Sequence, residues 1–180
     1  MNTYISLLRG INVSGQKKIK MAELKKLYES LSFENVSTYI QSGNVVFESY
    51  LDIKELQSII ETAIEKYFQF DVPVLILSPS QLINAYKNLP FTTIDIEQEG
   101  SKIIIFFLSK NISPQQGSNI QTYLTNSEQL VIGDGVIYLY CPAGLGKSKL
   151  TNKLIETKLQ LTSTARNVRT VSKLLLLAKN

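Results

Sequence analysis

Histidine and tryptophan are absent from this 180-residue chain, and cysteine occurs once. Without imidazole, Ser-His-Asp and Cys-His nucleophilic catalysis have no general base. A lone Cys141 with no histidine cannot assemble a zinc site, which draws on several such ligands. The same thiol closes no intramolecular disulfide, which suits a reducing compartment. Long apolar runs are also missing. The longest is residues 103–108, against the roughly 18 residues of a membrane-spanning helix. Residues 1–9 carry no basic start, long apolar stretch or small-residue cleavage site, so no secretory signal is read there. The expectation is a cytoplasmic protein with no membrane partner, no metal and no cofactor. An enzyme built on this chain would rely on carboxylates, Lys or Tyr, and the balance of the sequence leans away from catalysis.

What is present is enough apolar material, 44% of residues, for a sizeable core. At this length a compact chain buries roughly 70% of the surface it exposes unfolded. The net charge of +4 is unevenly spread. Residues 1–28 carry six bases and one acid, residues 29–140 five bases and 13 acids, and residues 141–180 eight bases and one acid. If both ends fold to one face, that face suits phosphates or polyanions; the basic ends can equally pair with the acidic middle.

Periodicity supplies the elements. Residues 4–9 read as a strand and 21–31 as a helix, followed by strands at 36–41 and 45–48 around a Ser42-Gly43-Asn44 turn. Asp52 with Glu55 forms a capping box before an apolar helical stripe running to Phe68, and residues 72–77 form the next strand. This βαββαβ order is that of a ferredoxin-like unit. Ser78-Pro79-Ser80-Gln81 opens a short connecting helix, and Ser113-Pro114-Gln115-Gln116 repeats that grammar. The second half shows a strand at 103–108, a helix at 114–124, a hairpin of 129–132 and 136–141 turned at Gly133-Asp134-Gly135, and a helix at 147–158. A last helix near 165–179 occupies the stretch where a fourth strand of the second repeat is due. The expected fold is α+β: two tandem ferredoxin-like (α/β-plait) subdomains, each a βαββα(β) unit with an antiparallel sheet, plus a C-terminal helix. Residues 1–78 form the first, 79–101 a connecting helix and acidic linker, and 102–180 the second.

Several groups of residues invite a chemical reading. Gly144-Leu145-Gly146-Lys147-Ser148 follows a strand, as a P-loop does, but Cys141 stands where the first glycine of that motif belongs. No NTPase is expected. A helix start there, with Lys147, Ser148 and Lys149, can still hold an anion. Arg166, Asn167, Arg169 and Lys173 fall within the last expected helix; Arg166, Arg169 and Lys173 share one face by their i, i+3, i+7 spacing, either a solvated stripe or a nucleic-acid contact. Lys17 and Lys18, with Arg9 and Lys20, flank the glycine-containing loop after the first strand. Val136, Tyr138 and Tyr140 point to one side of a strand and either stack on bases or pack between subdomains, the latter fitting their area better. Asp95, Glu97 and Glu99, three carboxylates on one side of an extended segment, either hold a magnesium or calcium ion or solubilise an exposed edge strand, the latter being the expectation.

Leu7-Leu8-Arg9-Gly10-Ile11-Asn12-Val13 with Gly15, Met21-Ala22-Glu23-Leu24, and Thr38-Tyr39-Ile40-Gln41-Ser42-Gly43-Asn44-Val45-Val46-Phe47 form a distinctive set. With Ser148-Lys149-Leu150-Thr151, Thr164-Ala165-Arg166-Asn167 and Thr170-Val171, it resembles the bacterial domain of unknown function 1697. The resemblance implies a small cytosolic protein of two ferredoxin-like halves and carries no reaction, cofactor or catalytic residue. Ser14 replaces a usual glycine, and Val168 stands where an aromatic is common. Arg9, Asn12, Gln41, Ser42 and Asn44 lie at strand ends and turns, where they either brace the backbone or line a ligand pocket. The leading expectation is a non-catalytic protein whose basic surface binds a phosphate-bearing ligand, nucleic acid or nucleotide. The alternatives are a small-molecule enzyme with a polar pocket around Arg9, Asn12, Gln41 and Asn44, and a protein-interaction or oligomerisation module.

Overall fold

The computed structural model describes residues 1–125 and 127–179. It has a mixed α/β fold with two four-stranded antiparallel sheets and, among the described residues, seven α-helices. Two compact units divide the chain: one holds Met1–Leu82 with the stretch from Leu174, the other Ile83–Lys173.

In the first unit β1 (Asn2–Leu8), α1 (Met21–Ser30), β2 (Glu34–Tyr39), β3 (Asn44–Ser49), α2 (Ile53–Phe68) and β4 (Val74–Leu77) follow in order. The sheet runs β2-β3-β1-β4. Alternation explains its main core: Tyr4, Leu8, Val45, Phe47, Val74 and Ile76 join Leu24, Leu27 and Tyr28 of α1 and Leu56, Ile60 and Ile64 of α2. Each fully buried aliphatic contributes roughly 1.5–3 kcal/mol. Phe47 anchors an aromatic cluster, with Tyr28 edge-on at 5.3 Å and Phe33 at 4.8 Å. The Tyr28 hydroxyl shares a hydrogen bond of 2.7 Å with Ser6, so the cluster leaves its polar atom satisfied. Helix α2 starts where its sequence says: Asp52 accepts from the Glu55 amide and the Glu55 carboxylate from the Asp52 amide.

The second unit contains α4 (Ile96–Glu99), β5 (Ile103–Leu108), α5 (Pro114–Gln121), β6 (Gln129–Ile132), β7 (Val136–Tyr140), α6 (Asn152–Leu159) and β8 (Ser163–Asn167). Its sheet runs β6-β7-β5-β8, the same arrangement as the first. Helices α3 (Pro79–Lys87) and α7 (Val168–Leu177) each contain one of the points at which the chain passes from unit to unit. The capping boxes read at Ser78 and Ser113 are both formed.

Four sequence expectations are corrected. The stretch read as one helix over 165–179 begins as β8, whose ladder beside the wholly buried β5 takes precedence over helical spacing. Asn167 is the signal for the true helix start, its side chain accepting from the Thr170 amide at 2.9 Å. The helix read at 147–158 is a 3-10 turn (Leu145–Lys147) followed by α6, which Thr151 caps by accepting from the Leu154 amide. Helix α5 stops at Gln121 rather than 124. Asp95, Glu97 and Glu99 do not form an edge strand: Asp95 caps α4 by accepting from the amides of Glu97 and Gln98.

Candidate functional site

The connection from β1 to α1 takes twelve residues, whereas the corresponding one from β5 to α5 takes five. Residues 9–20 hold four bases, Arg9, Lys17, Lys18 and Lys20, and no acid. The backbone turns through left-handed conformations at Gly10, Asn12, Ser14, Gly15 and Lys17, three of which carry side chains that disfavour them. Asn12 holds this path together. Its Nδ2 donates to the carbonyls of Ile19 at 2.9 Å and Gln41 at 2.8 Å, and its Oδ1 accepts from the Ile19 amide at 2.9 Å. One side chain thus ties both arms of the loop to the β2–β3 turn.

That turn is itself braced. Ile40, with φ 48°, is a β-branched residue held left-handed next to Gln41. Asn44 is fully buried and donates Nδ2 to the Tyr39 carbonyl and the Ser42 hydroxyl, both at 2.9 Å. Asn12 and Asn44 therefore spend their amides on backbone and turn. The structural reading accounts for these two residues, while Arg9, half-buried at the end of β1, donates its amide to the Pro73 carbonyl.

Beside the clasp lies an open depression of about 470 Å³ lined by Asn12, Lys18, Ile19, Lys20, Met21, Ala22 and Gln41. Helix α1 starts on its rim, and its cap position is Lys20, whose side chain makes no capping bond. The Glu23 and Leu24 amides donate to the Lys20 carbonyl, leaving Met21 and Ala22 as the open donors of the first turn. Two lysines and the positive end of a helix dipole thus border a depression that Ile19, Met21 and Ala22 also line, an arrangement that favours an anion. Lys20 is shared with Glu23, at 3.8 Å. No carboxylate is among the residues that line the depression. Sequence reasoning read Asn12 and Gln41 as one candidate group and Lys18, with Lys20 beside it, as another, and the structure brings them to one depression; the α1 amides were missed, and the available signal was the lack of Ser, Thr, Asp or Asn at the cap. Two other depressions in this unit each set Lys54 beside one or more carboxylates: one of about 360 Å³ is also lined by Glu61, Glu65 and Asp71, and one of about 790 Å³ by Met1, Asp52 and Ser78.

The remaining candidates fall elsewhere. In the glycine loop, the amides of Gly144, Lys147 and Ser148 donate within the turn itself, to Cys141, Gly144 and Leu145, and no α-helix starts at Lys147. Ser148 is buried, its hydroxyl accepting from the Leu150 amide. Burial alone would lift the Glu128 carboxyl, but hydrogen bonds from Ser148 and Thr125 outweigh it and hold Glu128 below its ordinary range. Lys147 and Lys149 remain exposed.

The stripe of Arg166, Arg169 and Lys173 does not exist as read, because Arg166 belongs to β8. Arg166 is 7% exposed and donates to Thr164 and the Ala165 carbonyl. Arg169 donates to the carbonyls of Glu97 and Gln98 at 3.0 and 2.9 Å, satisfying the C-terminal end of α4. Asn167 is a helix cap, and only Lys173 of the four is both exposed and uncommitted in its own unit. Tyr138, 3% exposed, donates to the Ala85 carbonyl, and Tyr140 packs near Phe91 with its hydroxyl on Glu99. The Tyr138 ring is closed to a base, and Tyr140 is half-buried. Among the described residues no group of three acidic or Cys side chains is close enough to hold a metal ion, and no helix is long and apolar enough to cross a membrane.

A family model described as Protein of unknown function (DUF1697) matches residues 1–138. No curated protein matches the chain. Among solved structures it is similar to a conserved bacterial protein from Streptococcus pneumoniae, at 26% identity and a TM-score of 0.76, over 98% of each chain.

Proposed function

We propose that this chain, which belongs to the DUF1697 family of proteins of unknown function, is a non-catalytic binding protein that takes a small phosphate-bearing ligand at the start of α1. The observation that carries the reading is the twelve-residue basic loop, where the equivalent place in the other unit manages with five. Connections longer than geometry requires tend to be functional, and this one lines a depression with Lys18, Lys20 and open helix amides. We read each half as a ferredoxin-like (α/β-plait) unit of one internal repeat, supported by the shared strand order. A buried lone thiol is in keeping with a reducing, cytoplasmic setting. The engagement of Arg166 and Arg169 with carbonyls favours a compact phosphorylated molecule over a nucleic acid laid along a continuous basic groove.

The test is calorimetric titration of the intact chain with pyrophosphate, a nucleoside triphosphate and single-stranded RNA, at low and near-physiological salt. A charge-assisted contact is worth about 1.5–3 kcal/mol, so Lys18→Met with Lys20→Met should weaken binding of the small ligands by roughly tenfold or more. Binding of RNA alone, with a steep salt dependence, would instead establish a polyanion surface. Absence of binding to all three at low salt removes the proposal.

A further inference from the structure

We infer that residues 13–17 form a strap that closes on the depression beside α1 and carries Lys17 onto the bound phosphate, an inference that rests on the anion-binding reading above. Lys18 lines the depression but its neighbour Lys17 does not. The Lys17 ammonium donates instead to the backbone carbonyl of Asp71, a neutral acceptor. A phosphate oxygen is a stronger partner for an ammonium than a neutral carbonyl is. An anion seated by Lys18 and Lys20 therefore gives Lys17 a reason to leave Asp71, and the difference in those two contacts is what shifts the equilibrium.

The strap has the construction such a movement needs. Val13, Ser14, Gly15 and Gln16 are all exposed, and the segment is pinned by few bonds, from the Asn12 amide to the Lys17 carbonyl at 3.2 Å and from the Gln16 amide to the Val13 carbonyl at 3.0 Å. Ser14 and Lys17 sit in left-handed conformations that side chains seldom adopt. The hinge post is Asn12, whose side chain stays fixed to Ile19 and Gln41 on either side of the depression. Val13 is 59% exposed and Ile40 48% exposed, and they are the chain neighbours of the two residues that the Asn12 amide joins.

The experiment is amide hydrogen exchange of the intact chain with and without pyrophosphate, run beside calorimetry on the same samples. Expected are protection of residues 13–18 on binding, affinity weakened at least about fivefold in Lys17→Met, recovery in Lys17→Arg, and no change in Lys66→Met on α2. Binding with unchanged exchange at 13–17, or with Lys17→Met as tight as the unaltered chain, overturns the strap and leaves the anion site standing. Failure of the unaltered chain to bind pyrophosphate overturns the strap, whereas the anion reading falls only if the nucleoside triphosphate and RNA fail to bind as well.

Discussion

The backbone amide of Leu8, the last residue of β1, donates to the carbonyl of Gly43 at 2.8 Å, locking the β2–β3 turn against the end of the neighbouring strand. Leu108 makes the same bond to Gly135 at 2.9 Å in the other unit, and the next residues agree too, Arg9 donating to Pro73 and Ser109 to Thr162, both at 2.9 Å. The two glycines differ in what surrounds them. Both are left-handed, but a Cβ on Gly43 would lie 2.6 Å from Leu8 Cβ and 2.7 Å from Ile11 Cδ1, whereas one on Gly135 would meet only Asn111 Oδ1 at 3.5 Å. Gly135→Ala should therefore cost about 1–2 kcal/mol for conformation alone. Gly43→Ala adds overpacking of about 1–3 kcal/mol. Urea unfolding of the two variants measures the difference, and equal losses would mean that the turn at Gly43 relaxes away from Ile11.

Asn12→Asp tests the clasp. The Oδ1 bond from the Ile19 amide survives, but an oxygen now faces the carbonyls of Ile19 and Gln41 where a donor stood. Leaving such groups unsatisfied costs about 1–3 kcal/mol each when buried, and less at this partly exposed site, so a loss of about 2 kcal/mol is expected in Asp and Ala variants alike. Denaturation midpoints check it. A variant as stable as the parent would show that the loop is held by other contacts.

Ser14→Gly should be neutral or slightly stabilising. Ser14 has φ 50°, a conformation costing a side-chain-bearing residue about 1–2 kcal/mol, against about 0.5–1 kcal/mol of extra chain entropy for glycine. A clear loss of thermal stability would mean that the Ser14 hydroxyl does structural work the geometry does not reveal.

The residues that were legible in the sequence are those whose signal is local. Asp52 with Glu55 and Ser113 with Gln116 mark helix starts because the capping bonds join residues three apart. The apolar residues of β1 and β3 and the unbroken apolar run of β5 are likewise written in consecutive residues. What escaped depends on distant partners. Ser163-Thr164-Ala165-Arg166-Asn167 becomes a strand because β5 presents an unpaired edge some sixty residues earlier, a fact no window contains. Arg169 looked like a solvated base because its acceptors, the carbonyls of Glu97 and Gln98, are seventy residues away. At the site, Asn12 and Gln41 were recognised as unusual polar residues at turns, yet that one would grip the backbone of the other needed the fold.

Acid stability should depend on Glu99. The Lys102 ammonium, 2.8 Å from its carboxylate, and the Tyr140 hydroxyl hold the Glu99 carboxyl below its ordinary value of 4.5. A carboxylate with a depressed pKa stabilises the folded chain above that ordinary value, and the contribution fades as pH falls through the lowered one. Lys102 is raised by the same contact, so its share is present below its ordinary 10.5 and is lost only in strongly alkaline solution. Unfolding midpoints followed from about pH 6 down to about pH 3 should therefore decline less in Glu99→Gln than in the parent. Parallel curves would assign acid sensitivity to other carboxylates, with Glu128, also shifted down, the next to replace.

Cys141 should be silent in the folded chain. It is 1% exposed, burial pushes its thiol up to about 11, and its Sγ donates to the Lys102 carbonyl at 3.2 Å. At pH 8 the thiolate fraction is therefore very small, and a disulfide reagent has no path to it. One equivalent should react only after unfolding in guanidinium, and labelling under native conditions should proceed at the rate at which the core around β5 and β7 opens. Cys141→Ala should cost only about 1–2 kcal/mol, since the Cys141 amide keeps its own bond to the Lys102 carbonyl at 3.0 Å and the side chain lost is small. Rapid labelling of the native chain would contradict the buried position and make Cys141 a candidate nucleophile, the chain's single thiol.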